Sequence, residues 1–227
     1  MKLRLTLSFL LLFACFKLSA QTEAIQFGIR AGVSSTSLSR KPGTDILIQD
    51  ADKSGAGYFA GAFASFNIDR FSLQPAIIFN SLSSKTTEEV LSDDIIYRMY
   101  GKWRLYYIQV PVNLIYNIPV PGGHVYAGAG PYIGSALSGK FTPAVSNESP
   151  GQSSPVDFSF KARFGNDNRS NFKSFDYGGN AVAGFEFDNG LMINAVYNLG
   201  LTNIQSYSYL YSSTKTRSLS IALGYKF

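Results

Sequence analysis

Tyr106-Tyr107-Ile108-Gln109-Val110-Pro111-Val112-Asn113-Leu114-Ile115-Tyr116 decides the reading of the chain. Tyr106, Ile108, Val110, Val112, Leu114 and Tyr116 take every second place, with Gln109 and Asn113 between them. Successive side chains of an extended strand point to opposite faces, so a period of two predicts a strand with one greasy and one polar side.

Working outward, the same alternation returns in Phe27, Ile29, Ala31 and Val33, in Phe71, Leu73, Pro75, Ile77 and Phe79, in Leu191, Ile193, Ala195, Tyr197 and Leu199, and in Leu219, Ile221, Leu223, Tyr225 and Phe227. Five strands are clear. Residues 57–66, 124–137 and 175–187 supply three more, with faces blurred by glycine and alanine. In 57–66, Phe59 and Phe63 have opposite parity to Tyr58 and Phe66, so which set faces outward is open.

The gaps between these eight segments alternate in length. Asn67 to Arg70, Asn117 to Gly123 and Asp188-Asn189-Gly190 are short, the last a hairpin signal. Gaps at approximately 35–56, 81–103, 138–174 and 204–216 are long and hold most of the charge. Short turns on one side and long loops on the other describe an outer-membrane barrel with both chain ends in the periplasm.

A soluble sandwich also alternates. Strand length favours lipid, because crossing a bilayer takes about 9–11 residues and soluble strands average about 5 or 6. Aromatic residues flank the short turns as an interfacial girdle should: Phe66 and Phe71, Tyr116 and Tyr126, Phe185 and Phe187, Tyr225 and Phe227. In hydrocarbon each unpaired amide costs several kcal/mol, so the sheet must close on itself. The expected fold is all-β: an eight-stranded antiparallel up-and-down transmembrane β-barrel with short periplasmic turns and long external loops. Eight strands leave a lumen that side chains fill. The inward candidates are Gln26, Arg30, Gln74, Gln109, Asn113, Asn180, Glu186, Asn194, Asn198 and Lys226. Arg30, Glu186 and Lys226 form the expected charged interior network; a narrow water path through the same residues is the alternative.

The first twenty residues read as a cleaved export signal: Lys2 and Arg4, an apolar run from Leu5 to Phe16, and a junction between Ala20 and Gln21. The run is too short to span a bilayer. Cys15 admits a competing lipoprotein reading, for which Phe13 is bulky. Removing Lys2, Arg4 and Lys17 lowers the formal charge from +5 to +2. No basic cluster then argues for nucleic acid. Cys15 is the only cysteine, so residues 21–227 have neither disulfide nor thiol nucleophile.

Several segments resemble the PorT-like outer-membrane barrel family of Bacteroidota. Tyr107-Ile108-Gln109-Val110-Pro111-Val112 resembles its tyrosine, hydrophobe, acid, hydrophobe, proline motif, with Gln109 where Glu is usual. Tyr126-Ala127-Gly128-Ala129-Gly130-Pro131-Tyr132, Asp176-Tyr177-Gly178 and Tyr197-Asn198-Leu199-Gly200-Leu201 are similar to its other habits, and Phe227 resembles the assembly signal read by the barrel-insertion machinery. The resemblance implies location and fold more than activity; some relatives are linked to secretion or gliding machinery.

Catalysis is not expected. The single histidine, His124, follows a short turn and should face the periplasm, far from an external rim. With one histidine and no cysteine after residue 20, a zinc site would need mostly carboxylates. Glu88, Glu89, Asp93 and Asp94 match no calcium loop and read as a solvated acidic loop. Lys140, Lys161, Arg163, Arg169 and Lys173 suit lipopolysaccharide phosphates or plain solubility. Loop 138–174, rich in Ser, Asn, Gly and Pro, reads as flexible. The expectation is a barrel with no cofactor and a structural or interaction role. Its partners would be outer-membrane lipid and lipopolysaccharide, the barrel-insertion machinery, and an envelope or secretion-machinery protein. The alternative is a narrow pore or a lipocalin-like ligand-binding barrel.

Overall fold

The structure, a computed structural model, describes residues 25–42, 53–92, 95–146, 153–155, 159–167, 169–206 and 211–227. The export segment, with Cys15 and the Ala20–Gln21 junction, lies outside them. Eight long strands run β1 (Gln26–Pro42), β2 (Lys53–Ile68), β3 (Phe71–Ser92), β4 (Ile95–Val120), β5 (Gly123–Ser146), β8 (Phe175–Phe187), β9 (Leu191–Gly200) and β10 (Tyr211–Lys226). Two short pieces, β6 (Ser153–Pro155) and β7 (Phe160–Lys161), pair with the outer end of β5. Each long strand pairs antiparallel with its neighbour, β4 meets β5 and β10 meets β1, so the sheet closes without an edge through the wall.

Side-chain parity fixes the two surfaces. Phe27, Ile29, Val33, Ile77, Leu114, Ile133, Ile193, Ile221 and Leu223 all point outward; Val33 and Ile221 leave 68% and 64% of their area bare. A continuous apolar belt of this kind has no place in water and needs hydrocarbon against it. Phe71 and Tyr116 pair at 5.1 Å, Phe185 and Phe187 at 4.7 Å, and Tyr225 and Phe227 at 5.6 Å beside the short turns. Tyr126 departs from the expected girdle. It is 3% exposed inside the lumen, because Val125 and Ala127 hold the outward parity of β5.

Residues 57–66 are settled the same way: Phe59 and Phe63 are buried inside, and Tyr58 faces out. The inward aromatics stand directly across from glycines, Phe63 from Gly28, Phe59 from Gly32, Tyr126 from Gly184 and Tyr132 from Gly178. A Cβ on Gly28 would lie 2.3 Å from the Phe63 ring, and one on Gly184 2.8 Å from that of Tyr126. Glycine is thus the socket into which each ring folds.

The turns at Asp69-Arg70, Pro121-Gly122 and 188–190 are tight, with positive φ at Asp69 (55°), Gly122 (85°) and Gly190 (84°). The opposite side departs from expectation. The gap expected at 81–103 is a ladder, which runs in unbroken register from Leu82 opposite Leu105 to Ser92 opposite Ile95. β5 likewise continues past residue 138 to Ser146, paired with β4 as far as Ala144 opposite Tyr100. At 22 and 26 residues, β3 and β4 are about twice as long as a bilayer crossing requires, so a three-stranded blade stands above the barrel.

Candidate functional site: the barrel interior

Three layers fill the lumen. Nearest the short turns, Phe59, Phe63, Ala76, Ile78, Ile115, Tyr126, Val182, Met192, Val196 and Ala222 form one apolar cluster. Nearest the long loops, Leu38, Leu82, Leu105, Tyr107, Phe172 and Ile204 form a second, with Trp103, Ala162 and Phe164 against it. Phe172 and Ile204 belong to loops, so the loops themselves stopper the mouth. Trp103 meets Phe172 edge-on at 4.9 Å; Lys173 N–H donates to the Ile204 carbonyl at 2.7 Å, and Ile204 N–H donates to that of Thr214 at 2.9 Å. The described part of loop 138–174 is therefore packed rather than free. Its few aromatic residues, too few for a core of their own, complete one that the strands begin.

Between the clusters lies a polar belt. Asn80 Nδ2 donates to Gln109 Oε1 at 2.6 Å and Asn113 Nδ2 to Asn180 Oδ1 at 2.6 Å; Asn180 donates to Asn198, and Asn198 Nδ2 reaches Ser218 at 3.3 Å. Buried amides bonded in chains satisfy one another and hold the strands in one register. Above them Asp176, fully buried, accepts at Oδ2 from Tyr132 (3.1 Å) and Thr216 (2.9 Å). Sequence reading met Asp176 only inside a motif. Its isolation as the one acid at a strand start between apolar neighbours was the available signal.

Of the three charged residues expected to share the interior, Glu186 and Lys226 form an ion pair. Arg30 lies with its guanidinium 5.7 Å over the Phe63 ring and its Nε without a hydrogen-bond partner, and it shares with Glu186 an electrostatic interaction with Tyr126. No hydrogen bond or ion pair joins it to Glu186 among the described residues. A cation over a ring contributes roughly 0.5–2 kcal/mol, whereas taking an ion out of water costs several. The remaining inward candidates, Gln26, Gln74 and Asn194, also sit inside.

Two spaces remain. One of about 20 Å³ lies beside Arg30 among the belt amides. The other, of about 280 Å³, is a vestibule on the short-turn side; Arg70, His124, Glu186 and Lys226 are on its wall. His124 thus faces the periplasmic end, beside an ion pair. The side chains of Glu88, Glu89, Asp93 and Asp94 lie outside the described residues. Lys140, Lys161, Arg163 and Arg169 are exposed on the loop side, with Lys173 half-buried. In the outer turn, Asp167 accepts a hydrogen bond from Ser170 at 2.5 Å, which holds its carboxyl below the usual range.

A family model described as an outer membrane protein beta-barrel domain matches residues 19–206. Among solved structures, the chain is similar to the attachment invasion locus protein Ail of Yersinia pestis in complex with the heparin analogue sucrose octasulfate. Identity is 17% over 89% of this chain and 99% of that one, with a TM-score of 0.40. It is also similar to Neisserial surface protein A, at 13% identity over 88% and 97% with a TM-score of 0.43. OprG of Pseudomonas aeruginosa aligns at 12% identity over 90% and 96% with a TM-score of 0.46. No curated protein sequence matches the chain.

Proposed function

Given that the chain belongs to the outer membrane protein β-barrel domain family and resides in the outer membrane, we propose that it is a non-catalytic, non-conducting barrel that works by display. The wall anchors it in lipid and lipopolysaccharide; the blade of β3, β4 and β5 docks a protein partner of the cell envelope. The carrying observation is the stoppered lumen. Loop residues Phe172 and Ile204 close the mouth, the amide belt crosses the middle, and the strands nevertheless continue outward.

Beyond Lys85, β3 pairs only with β4 among the described residues, which leaves its other edge without a described strand beside it. Such an edge suits a partner that adds an extended segment to the sheet. Basic residues Lys140, Lys161, Arg163 and Arg169 at the loop side support contact with lipopolysaccharide phosphates.

Tyr107 to Val112, Tyr126 to Tyr132 and Asp176 to Gly178 support a PorT-like affiliation within the family, and with it a secretion-machinery partner. Phe227, whose ring lies outside the wall, supports recognition by the insertion machinery. Export under a signal cleaved between Ala20 and Gln21 completes the reading.

Planar-bilayer recording of the purified barrel tests the closed lumen; no conductance steps are expected, and reproducible steps refute it in favour of a narrow pore. Replacing residues 86–101 by a two-residue turn tests display. The shortened protein should keep heat-modifiable gel mobility and lose cross-links to its envelope partner. Retained cross-links would move the docking surface elsewhere.

A further inference from the structure

We propose that the cavity beside Arg30 is a binding site for a single monovalent, monatomic anion, chloride in ordinary surroundings. The argument begins with charge. Arg30 is 6% exposed, and it is the one cation described in the middle of the lumen. The acids that face the lumen among the described residues are committed elsewhere: Glu186 holds Lys226, and Asp176 accepts from Tyr132 and Thr216. Phe63 offers the guanidinium a ring face and no hydrogen bond acceptor.

Geometry supplies the place. Arg30 lines a space of about 20 Å³, whose polar wall is Asn80, Gln109, Asn180, Asn198 and Ser220, with no carboxylate, and whose remaining wall, with Phe59 and Val196, is apolar. A space of this size admits one water or one ion of similar radius, and excludes phosphate, sulfate and carboxylates. Each of those amides carries two N–H donors; Asn80, Asn180 and Asn198 use one apiece in the chains of hydrogen bonds through the belt, and Gln109 takes part there only as an acceptor. N–H and O–H donors beside a buried cation whose Nε has no hydrogen-bond partner attract an anion. A neutral water there would leave the charge uncompensated in a low-dielectric interior.

Arg30 stands opposite Gly224 on β10, where an added Cβ would lie 3.3 Å from the Arg30 Cβ. The stoppered mouth above and the aromatic cluster below enclose the site, so the ion is trapped as the barrel closes.

Bromide is the probe. Full-length barrel refolded into detergent with sodium bromide or chloride should unfold about 5 °C higher than the same protein refolded in sodium gluconate of equal ionic strength. In Arg30→Met the increment should vanish. Equal midpoints in halide and gluconate for the wild type, or an increment that survives in Arg30→Met, would overturn the site. Should Arg30→Met fail to fold, crystals of the wild type grown from bromide-refolded protein decide. A bromine anomalous peak within contact distance of the guanidinium supports the proposal, and its absence rejects it.

Discussion

The two apolar clusters of the lumen are alike in composition and opposite in construction. The lower one, around Phe63 and Met192, is made wholly of strand residues, each held by hydrogen-bonded neighbours on both sides. The upper one pairs strand residues such as Leu105 and Tyr107 with Phe172 and Ile204, which arrive on loops and are tied in by a handful of backbone bonds. One cluster therefore belongs to the wall, and the other is a stopper set into it. The lower should fail only when the barrel unfolds; the upper should open by itself.

Phe63→Ala breaks the comparison most sharply. It empties the socket against Gly28 and removes the ring beneath Arg30, so a loss of about 3–5 kcal/mol in global stability is expected in urea titration of gel mobility. Ile221→Lys tests the other side of the same wall. Its site faces lipid near mid-height, and a cost of roughly 2–4 kcal/mol is expected in vesicles, against little effect if that face were wet. Phe172→Ala should leave the global midpoint nearly unchanged while raising protease cleavage and amide exchange across 159–174. A fall in the midpoint equal to that of Phe63→Ala would make the two clusters one unit.

Asp167 gives the smallest effect, confined to the outer turn. Its carboxyl is held below the ordinary value by Ser170, so the turn gains from the ionised form at neutral pH and loses that gain as pH falls below about 4 through the lowered value. Asp167→Ala should abolish this acid step in amide exchange near Ser170 and leave the barrel untouched.

What was legible in the sequence follows the same division. Ile77, Val110, Ile193 and Ile221 announce the lipid side because hydrocarbon tolerates only apolar neighbours there, and Gln109, Asn113 and Asn180 announce the belt. The facing of 57–66 was not legible. Phe59 and Phe63 need glycines on the adjacent strands, and nothing in their own segment records who stands opposite. The ladder from Leu82 to Ser92 was hidden for another reason. A strand that rises out of lipid has no continuous greasy side, so Ser83, Ser84, Lys85 and Thr86 show no period of two. The stopper was hidden because Phe172 and Ile204 are isolated hydrophobes in polar stretches; only the fold shows that they share a destination.

Closure by β1 against β10, from Gly28 opposite Lys226 upward, joins the two segments most distant along the chain. Until that seam zips, both flanking strands carry a row of unsatisfied amides and a greasy surface, an invitation to intermolecular pairing. The hazard for this polypeptide is accordingly kinetic: its time in the periplasm before the last pairing, more than the strength of the finished cylinder, governs how much of it arrives.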